Sequence, residues 1–391
     1  MKNKIVVMFL TLVVMIFATP IVFEKLMNSK FDTMLLNLQQ QKGIVIKEIK
    51  NKSSYLTTDR IFEVTIPGSA INQKEIKYIK LITEATFKNL PVTNVFFHNT
   101  VKDVVLVKQG EIPFLKDNFV FDVVTPDFKH YKYKVLDKNI DINGVEIGWS
   151  AFKGIYVYNK EFKNEDGNIK ILIKKNNATI SFNHFISDYL KVGNKIEQNA
   201  GLKDIQIKSP RFNGEIKNIN SQSETVLKKD TLDSVSNLLV EDVNINNLFK
   251  LKDLKINAKI YGLDKKAIQE LQNGNDETSQ KSLKVLLNRG FSGNIKLSVK
   301  DLAFMQDLGF LNADINFSIK KGNNVEKINN NDLSFLNLNA KIVASPKLGA
   351  IIMMSEPKLG SFIKNENNKS IVIIKINKGK IYINGKEIKS N

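Results

Sequence analysis

Leu311-Asn312-Ala313-Asp314-Ile315-Asn316-Phe317-Ser318-Ile319 alternates apolar and polar residues without a break. Successive side chains of a strand point to opposite faces, so this stretch reads as a half-buried strand. Leu311, Ala313, Ile315, Phe317 and Ile319 meet a core, and their neighbours meet water. The pattern recurs at 254–260, where Leu254, Ile256, Ala258 and Ile260 alternate with Lys255, Asn257 and Lys259, and at 336–342. Shorter versions occupy 131–135, 169–173 and 295–299. Strands buried on both faces would read as continuous apolar runs, whereas one-sided alternation belongs to antiparallel sheets. The expected fold is mainly β (α+β), an extended antiparallel β-sheet body.

Turn signals fall between such strands. Asn164-Glu165-Asp166-Gly167 is expected to reverse the chain, since Asp-Gly supplies the positive φ angles of a tight hairpin. Ile140-Asp141-Ile142-Asn143-Gly144-Val145-Glu146-Ile147 is echoed by Ile381-Tyr382-Ile383-Asn384-Gly385-Lys386-Glu387-Ile388, two strand–turn–strand units. A repeated hairpin solution and an internal duplication explain the pair equally well. One helical region interrupts the strands. Asp264 is placed to cap a helix over 265–272, with Leu263 and Ile268 as its hydrophobic staple. A second helix is expected over 276–289, closed by Gly290. Segment 72–90 fits neither period well, because Ile76, Ile79 and Phe87 are irregularly spaced.

The N-terminus differs from everything else. Residues 5–23 are apolar apart from Thr11 and Thr19 and carry no charge. At 1.5 Å per residue, a helix of that length just crosses a hydrocarbon core of about 30 Å. Lys2 and Lys4 precede it, as in a signal peptide or a signal-anchor. Ala18 is followed by Thr19, Pro20 and more apolar residues, so no cleavage site is formed, and an uncleaved anchor is expected. Next, Met27, Phe31, Met34 and Leu38 form one apolar stripe of a helical stalk over 24–42. That stripe suits packing on the protein's own body better than a short dimeric coiled coil. The expected order is a cytoplasmic tail at 1–4, a transmembrane anchor at 5–23, the stalk at 24–42 and a β-rich periplasmic body at 43–391. The body divides into two sub-domains, with the helical pair 264–289 between them.

Composition excludes several functions. There is no cysteine, hence no disulfide, thiolate metal site, cysteine nucleophile or lipidated cysteine. The formal charge is +18. Nucleic acid is nevertheless not an expected partner, because arginine occurs only at Arg60, Arg211 and Arg289 and the lysines are scattered. Asp137, Asn139, Asp141 and Asn143 begin like a calcium loop, but the glycine is at the eighth position and Gly148 stands where a bidentate glutamate is needed. His98, His130 and His184 have no zinc spacing. Phosphate loops, dinucleotide fingerprints and nucleophile elbows are all missing. Trp149, Tyr156 and Tyr158 are expected to pack across strands. No catalytic, cofactor-binding or metal-binding residue is therefore expected.

The layout of anchor, stalk and strand-rich body resembles the YdgA-like family of bacterial envelope proteins, a family of unknown function. The likeness is carried by Leu56-Thr57-Thr58, by LKINAKIYGLDKKAIQEL over 254–271, by LLNRGFSGNIKLSVKDL over 286–302, and by the closing strand and hairpin over 371–388. It implies an inner-membrane tether, a periplasmic body and a homodimer, and it carries over no reaction. Two function classes remain. One is a non-enzymatic scaffold or binding protein whose one-sided apolar sheet holds lipid or an envelope-protein partner, similar at fold level alone to large bridge-like envelope proteins. The other is a periplasmic hydrolase acting on glycans through two dispersed carboxylates.

Overall fold

The computed structural model describes residues 24–388 apart from 41–42, 72, 90–93, 109, 113–114, 143, 274–275, 331 and 356–359. The tail at 1–4 and the apolar segment at 5–23 lie outside the described residues. Among the described residues no helix is long and apolar enough to cross a membrane. Strand accounts for 64% of the structure, and the described pairings are antiparallel, so the chain is mainly β. It divides into two compact units, Met1–Gly167 and Asn168–Asn391. The boundary falls well before the helical pair expected to mark it. That pair lies inside the second unit.

The first unit is a sheet in the order β1 (Val45–Ser53), β2 (Thr57–Pro67), β3 (Ile76–Lys88), β4 (Val95–Leu106), β6 (Val120–Thr125), β7 (His130–Val135), β10 (Phe152–Val157) and the first half of β11 (Glu161–Ile173), whose residues from Asn168 on belong to the second unit. The short β5 (Gly110–Glu111) adds to β4, and β8 (Lys138–Ile142) with β9 (Val145–Trp149) forms the first Asn-Gly hairpin. Helix α1, residues 24–39, lies antiparallel to β1. Its Glu24 accepts a hydrogen bond from Ser53, and Gln39 donates to the Ile46 carbonyl at 3.0 Å.

Burial explains why the helix sits there. Phe31 is 1% exposed, and its ring lies 5.5–6.2 Å from those of Phe62, Phe87, Phe97 and Phe128. Full burial of such a ring contributes about 2–3 kcal/mol. Met27 is buried beside it, Met34 and Leu35 pack on the cluster, and Leu38 stays exposed. Arg60 on β2, only 5% exposed, ties helix to sheet by donating to Asp32 at 2.7 Å and to Glu48 at 2.8 Å. Its guanidinium also lies 5.0 Å from the Phe31 ring centroid. Burial opposes the charge, and the hydrogen bonds to Glu48 and Asp32 outweigh it, so the pKa stands above the usual value.

Two sequence expectations are corrected here. Asn164 to Gly167 does not reverse the chain but runs within β11, with Glu165 opposite Lys153 and Asn164 opposite Gly154. Asp166 takes its positive φ, 32°, inside the strand. The Asp-Gly chemistry is used for a kink instead of a hairpin. Segment 72–90 holds β3, on which Leu81, Ala85 and Phe87 are buried. Register shifts between Ile76 and Tyr78 and between Lys80 and Leu81 displaced Ile76 from the alternation and hid the strand.

The second unit is a meander of long strands: β12 (Ala178–Val192), β13 (Lys195–Lys208), β14 (Asn213–Leu227), β15 (Thr231–Ile245), β16 (Phe249–Asp264), β17 (Phe291–Phe304), β18 (Gln306–Ile319) and β19 (Leu336–Ala344). Each pairs with the next, and the sheet continues through β21 (Lys369–Asn377), β22 (Lys380–Ile383) and β23 (Lys386–Ile388), with β20 (Lys364–Glu366) on β21. Asn384 and Gly385 close the last hairpin at φ 47° and 83°, the positive values expected of an Asn-Gly turn. Helices α2 (Lys265–Asn273) and α3 (Asp276–Arg289) match the sequence reading. Asp264 caps α2, accepting from the Ala267 amide at 2.7 Å, and its other oxygen meets Arg289 at 2.6 Å. Two helices were not expected, α4 (Asn324–Asn329) and the apolar α5 (Pro346–Ser355). Both are too short for periodicity to reveal.

Candidate functional site

Strand register in the second unit assembles the apolar positions into rows. Ile256, Leu297, Ala313, Ile342 and Val372 stand side by side across five strands. Two residues along lies the row of Ala258, Ile295, Ile315, Ala340, Ile374 and Ile383. The third row is Ile260, Gly293, Phe317, Leu338, Ile376 and Ile381. Gly293 leaves room for a ring, since a Cβ there would meet Phe317 at 2.8 Å. Apart from buried Ala340, these residues are only half-buried. Among the described residues, both clusters of buried apolar side chains belong to the first unit. Among the described residues, the second unit therefore presents these rows as a broad half-buried apolar face, with α5 against β18 and β21 at one end.

Across β16 to β19 the opposite face is mostly polar, and on β21 it carries Ile371 and Ile373. Asn294 donates to Asp314 at 2.7 Å and to Asn316 at 2.8 Å, and Asn257 donates to Asn237. A hollow of about 470 Å³ opens on this side, lined by Lys255, Asn257, Lys296, Leu297, Ser298, Asn312, Ala313, Asp314, Lys341 and Val343. It holds one carboxylate, Asp314, 3.8 Å from Lys296. General acid–base hydrolysis of a glycoside uses two.

A transverse line crosses the sheet that strand-by-strand reading missed. Six consecutive strands carry two polar residues between apolar ones: Phe182-Asn183-His184-Phe185, Leu202-Lys203-Asp204-Ile205, Ile216-Lys217-Asn218-Ile219, Val240-Glu241-Asp242-Val243, Leu251-Lys252-Asp253-Leu254 and Val299-Lys300-Asp301-Leu302. Register places these tetrapeptides side by side. Apolar residues three apart break the period of two, so the strand must absorb one odd residue. His184, Asn218 and Asp253 do so in the left-handed region, at φ 55°, 49° and 52°, and Gly309 on β18 does the same at 81°. Charges alternate along the line, with Asp204 opposite Lys217, Lys217 opposite Asp242, Asp242 opposite Lys252 and Lys252 opposite Asp301. Left-handed residues within strands bend them and increase their twist. The repeated apolar–polar–polar–apolar spacing was the signal that could have found this crease.

The residues weighed from sequence are dispersed. Trp149 packs on Phe119, ring to ring at 5.8 Å, and donates to the Leu136 carbonyl. Tyr156 pairs instead with Tyr131 at 5.8 Å. His98 pairs with Asp122 and His130 with Asp127, each at 2.7 Å, and His184 lies on the crease. Asp141 accepts from the Gly144 amide in its own turn. Among the described residues no three acidic or histidine side chains gather as metal ligands. Comparison with protein-family models, with curated proteins and with solved structures gives no match to this chain.

Proposed function

We propose that this chain is a membrane-tethered bacterial envelope protein, without catalytic activity, whose second unit holds acyl chains on the apolar face of its sheet. The tether is the uncharged segment 5–23, with 1–4 cytoplasmic and the body in the periplasm. One observation carries the ligand reading: three continuous apolar rows lie half-buried across β16 to β21, where the first unit seals its own apolar face under α1. Contiguous apolar patches beyond a few hundred Å² are uncommon on proteins without a partner or ligand. The crease supports the same reading, because a bent sheet can wrap an elongated apolar ligand where a flat one cannot.

Native mass spectrometry of the full chain extracted in mild detergent tests this. The expected spectrum shows monomer carrying phospholipid that survives detergent removal in the gas phase. A lipid-free dimer would assign the apolar face to a second copy and overturn the lipid reading. A lipid-free monomer would overturn it as well.

A further inference from the structure

We infer that one end of the first unit, the end where α1 begins, is a membrane-surface contact that seats the body on the headgroups of an anionic bilayer. The inference rests on the reading of 5–23 as a tether. Glu24 follows that segment directly and bonds to Ser53 at the close of β1. Register carries this end across the sheet: Thr57 lies opposite Lys88, Phe87 opposite Val95, Val95 opposite Thr125, and His130 opposite Val157. The turns after β1, β6 and β10 therefore share one end with the start of α1. A tether leaving the bilayer at residue 23 brings that end to the membrane surface.

The chemistry of the end fits that partner. All three exposed tyrosines of the first unit among the described residues are here, Tyr55 at 46%, Tyr156 at 37% and Tyr158 at 53% exposed, together with Leu56 and Phe162. Tyrosine suits the headgroup layer, where its ring is apolar and its hydroxyl stays wet. Exposed Lys25, Lys52, Lys88, Lys129 and Lys160 stand at the same end. Glu24, Asp59, Asp127 and Glu161 are the acids of the same end, with Asp59 directly opposite Lys52 and Asp127 engaged by His130. Five lysines stand against four acids, a surplus of one positive charge, which favours an anionic surface over a neutral one.

Absence of native cysteine allows single-site labels in the full chain. Tyr158→Cys reports the proposed contact, and Val107→Cys reports the far end of β4, about 40 Å away at 3.3 Å per residue. Each variant is labelled with an environment-sensitive fluorophore and reconstituted into phosphatidylethanolamine–phosphatidylglycerol vesicles containing a headgroup-level spin-labelled quencher. Strong quenching at Tyr158→Cys with none at Val107→Cys is the expected result. If alkaline carbonate strips the chain from the vesicles, the tether fails and the contact fails with it. If the chain stays embedded and both labels remain equally bright, the tether stands and the contact alone is refuted.

Discussion

Tyr133 shows how a single missing Cβ shapes packing in the first unit. Gly154 faces Tyr133, whose hydroxyl would lie 2.5 Å from any Cβ at that position. The ring thus lies over the glycine and stacks on Phe162 at 5.9 Å, while its hydroxyl donates to Asn164 at 3.0 Å. Tyr131 donates to the Phe128 carbonyl at 2.7 Å. Burial pushes both phenols up to about 12, helped by Tyr156 and Asp127 near Tyr131 and by Glu165 near Tyr133. A raised phenol pKa means the folded state holds its proton longer than the unfolded chain, which ionises near 10. The stabilisation is full below pH 10 and is lost as pH rises towards 12. Ultraviolet titration of the native protein should show two late phenols, and Tyr133→Phe should remove one of them. Uniform ionisation of every tyrosine near pH 10 would contradict this packing. The alternation of Tyr131 and Tyr133 was legible in sequence. The role of Gly154 was not, because its partner lies on another strand.

At the scale of elements, local signals succeeded where the chain answers to its own neighbours. Asp264, Leu263 and Ile268 announced α2, and Asn384-Gly385 announced the last hairpin, because caps and turns are satisfied within a few residues. Asp166-Gly167 misled for the converse reason. Positive φ serves a kink as well as a reversal, and only pairing with β10 distinguishes them. The crease makes its own prediction. Asp253 holds φ at 52° in mid-strand, and its ion pair with Lys300 at 3.8 Å is exposed and contributes little. Asp253→Val should cost about 1–2 kcal/mol, the strain of a β-branched residue in the left-handed region, and Asp253→Gly should cost far less. Chemical denaturation of the two variants compares them. Equal stability would mean that the left-handed residue is not what the crease requires.

For the whole molecule, the two units resolve the same problem differently. The first covers its apolar face with α1, anchored by Phe31 and Arg60, and the second leaves rows of isoleucine and leucine half-buried. A lysine at Ile315 separates an open face from a sealed one. In a sealed core an unpaired charge costs several kcal/mol and the unit unfolds. On an open face the lysine stem can lie along the apolar surface with its ammonium in water. Ile315→Lys should therefore keep its strand-rich circular dichroism spectrum and lose bound phospholipid. A folded variant with its full lipid complement would refute the apolar face as the binding surface. The amino-acid sequence alone determined that strands form, where they alternate and which residues share a face, since these follow from backbone geometry over a dozen residues. Only the tertiary structure decided that six polar pairs align into one crease, and that Phe31 buries one apolar face while the rows of the other stay half-buried. Those outcomes depend on contacts between residues far apart in the chain, which no local pattern specifies.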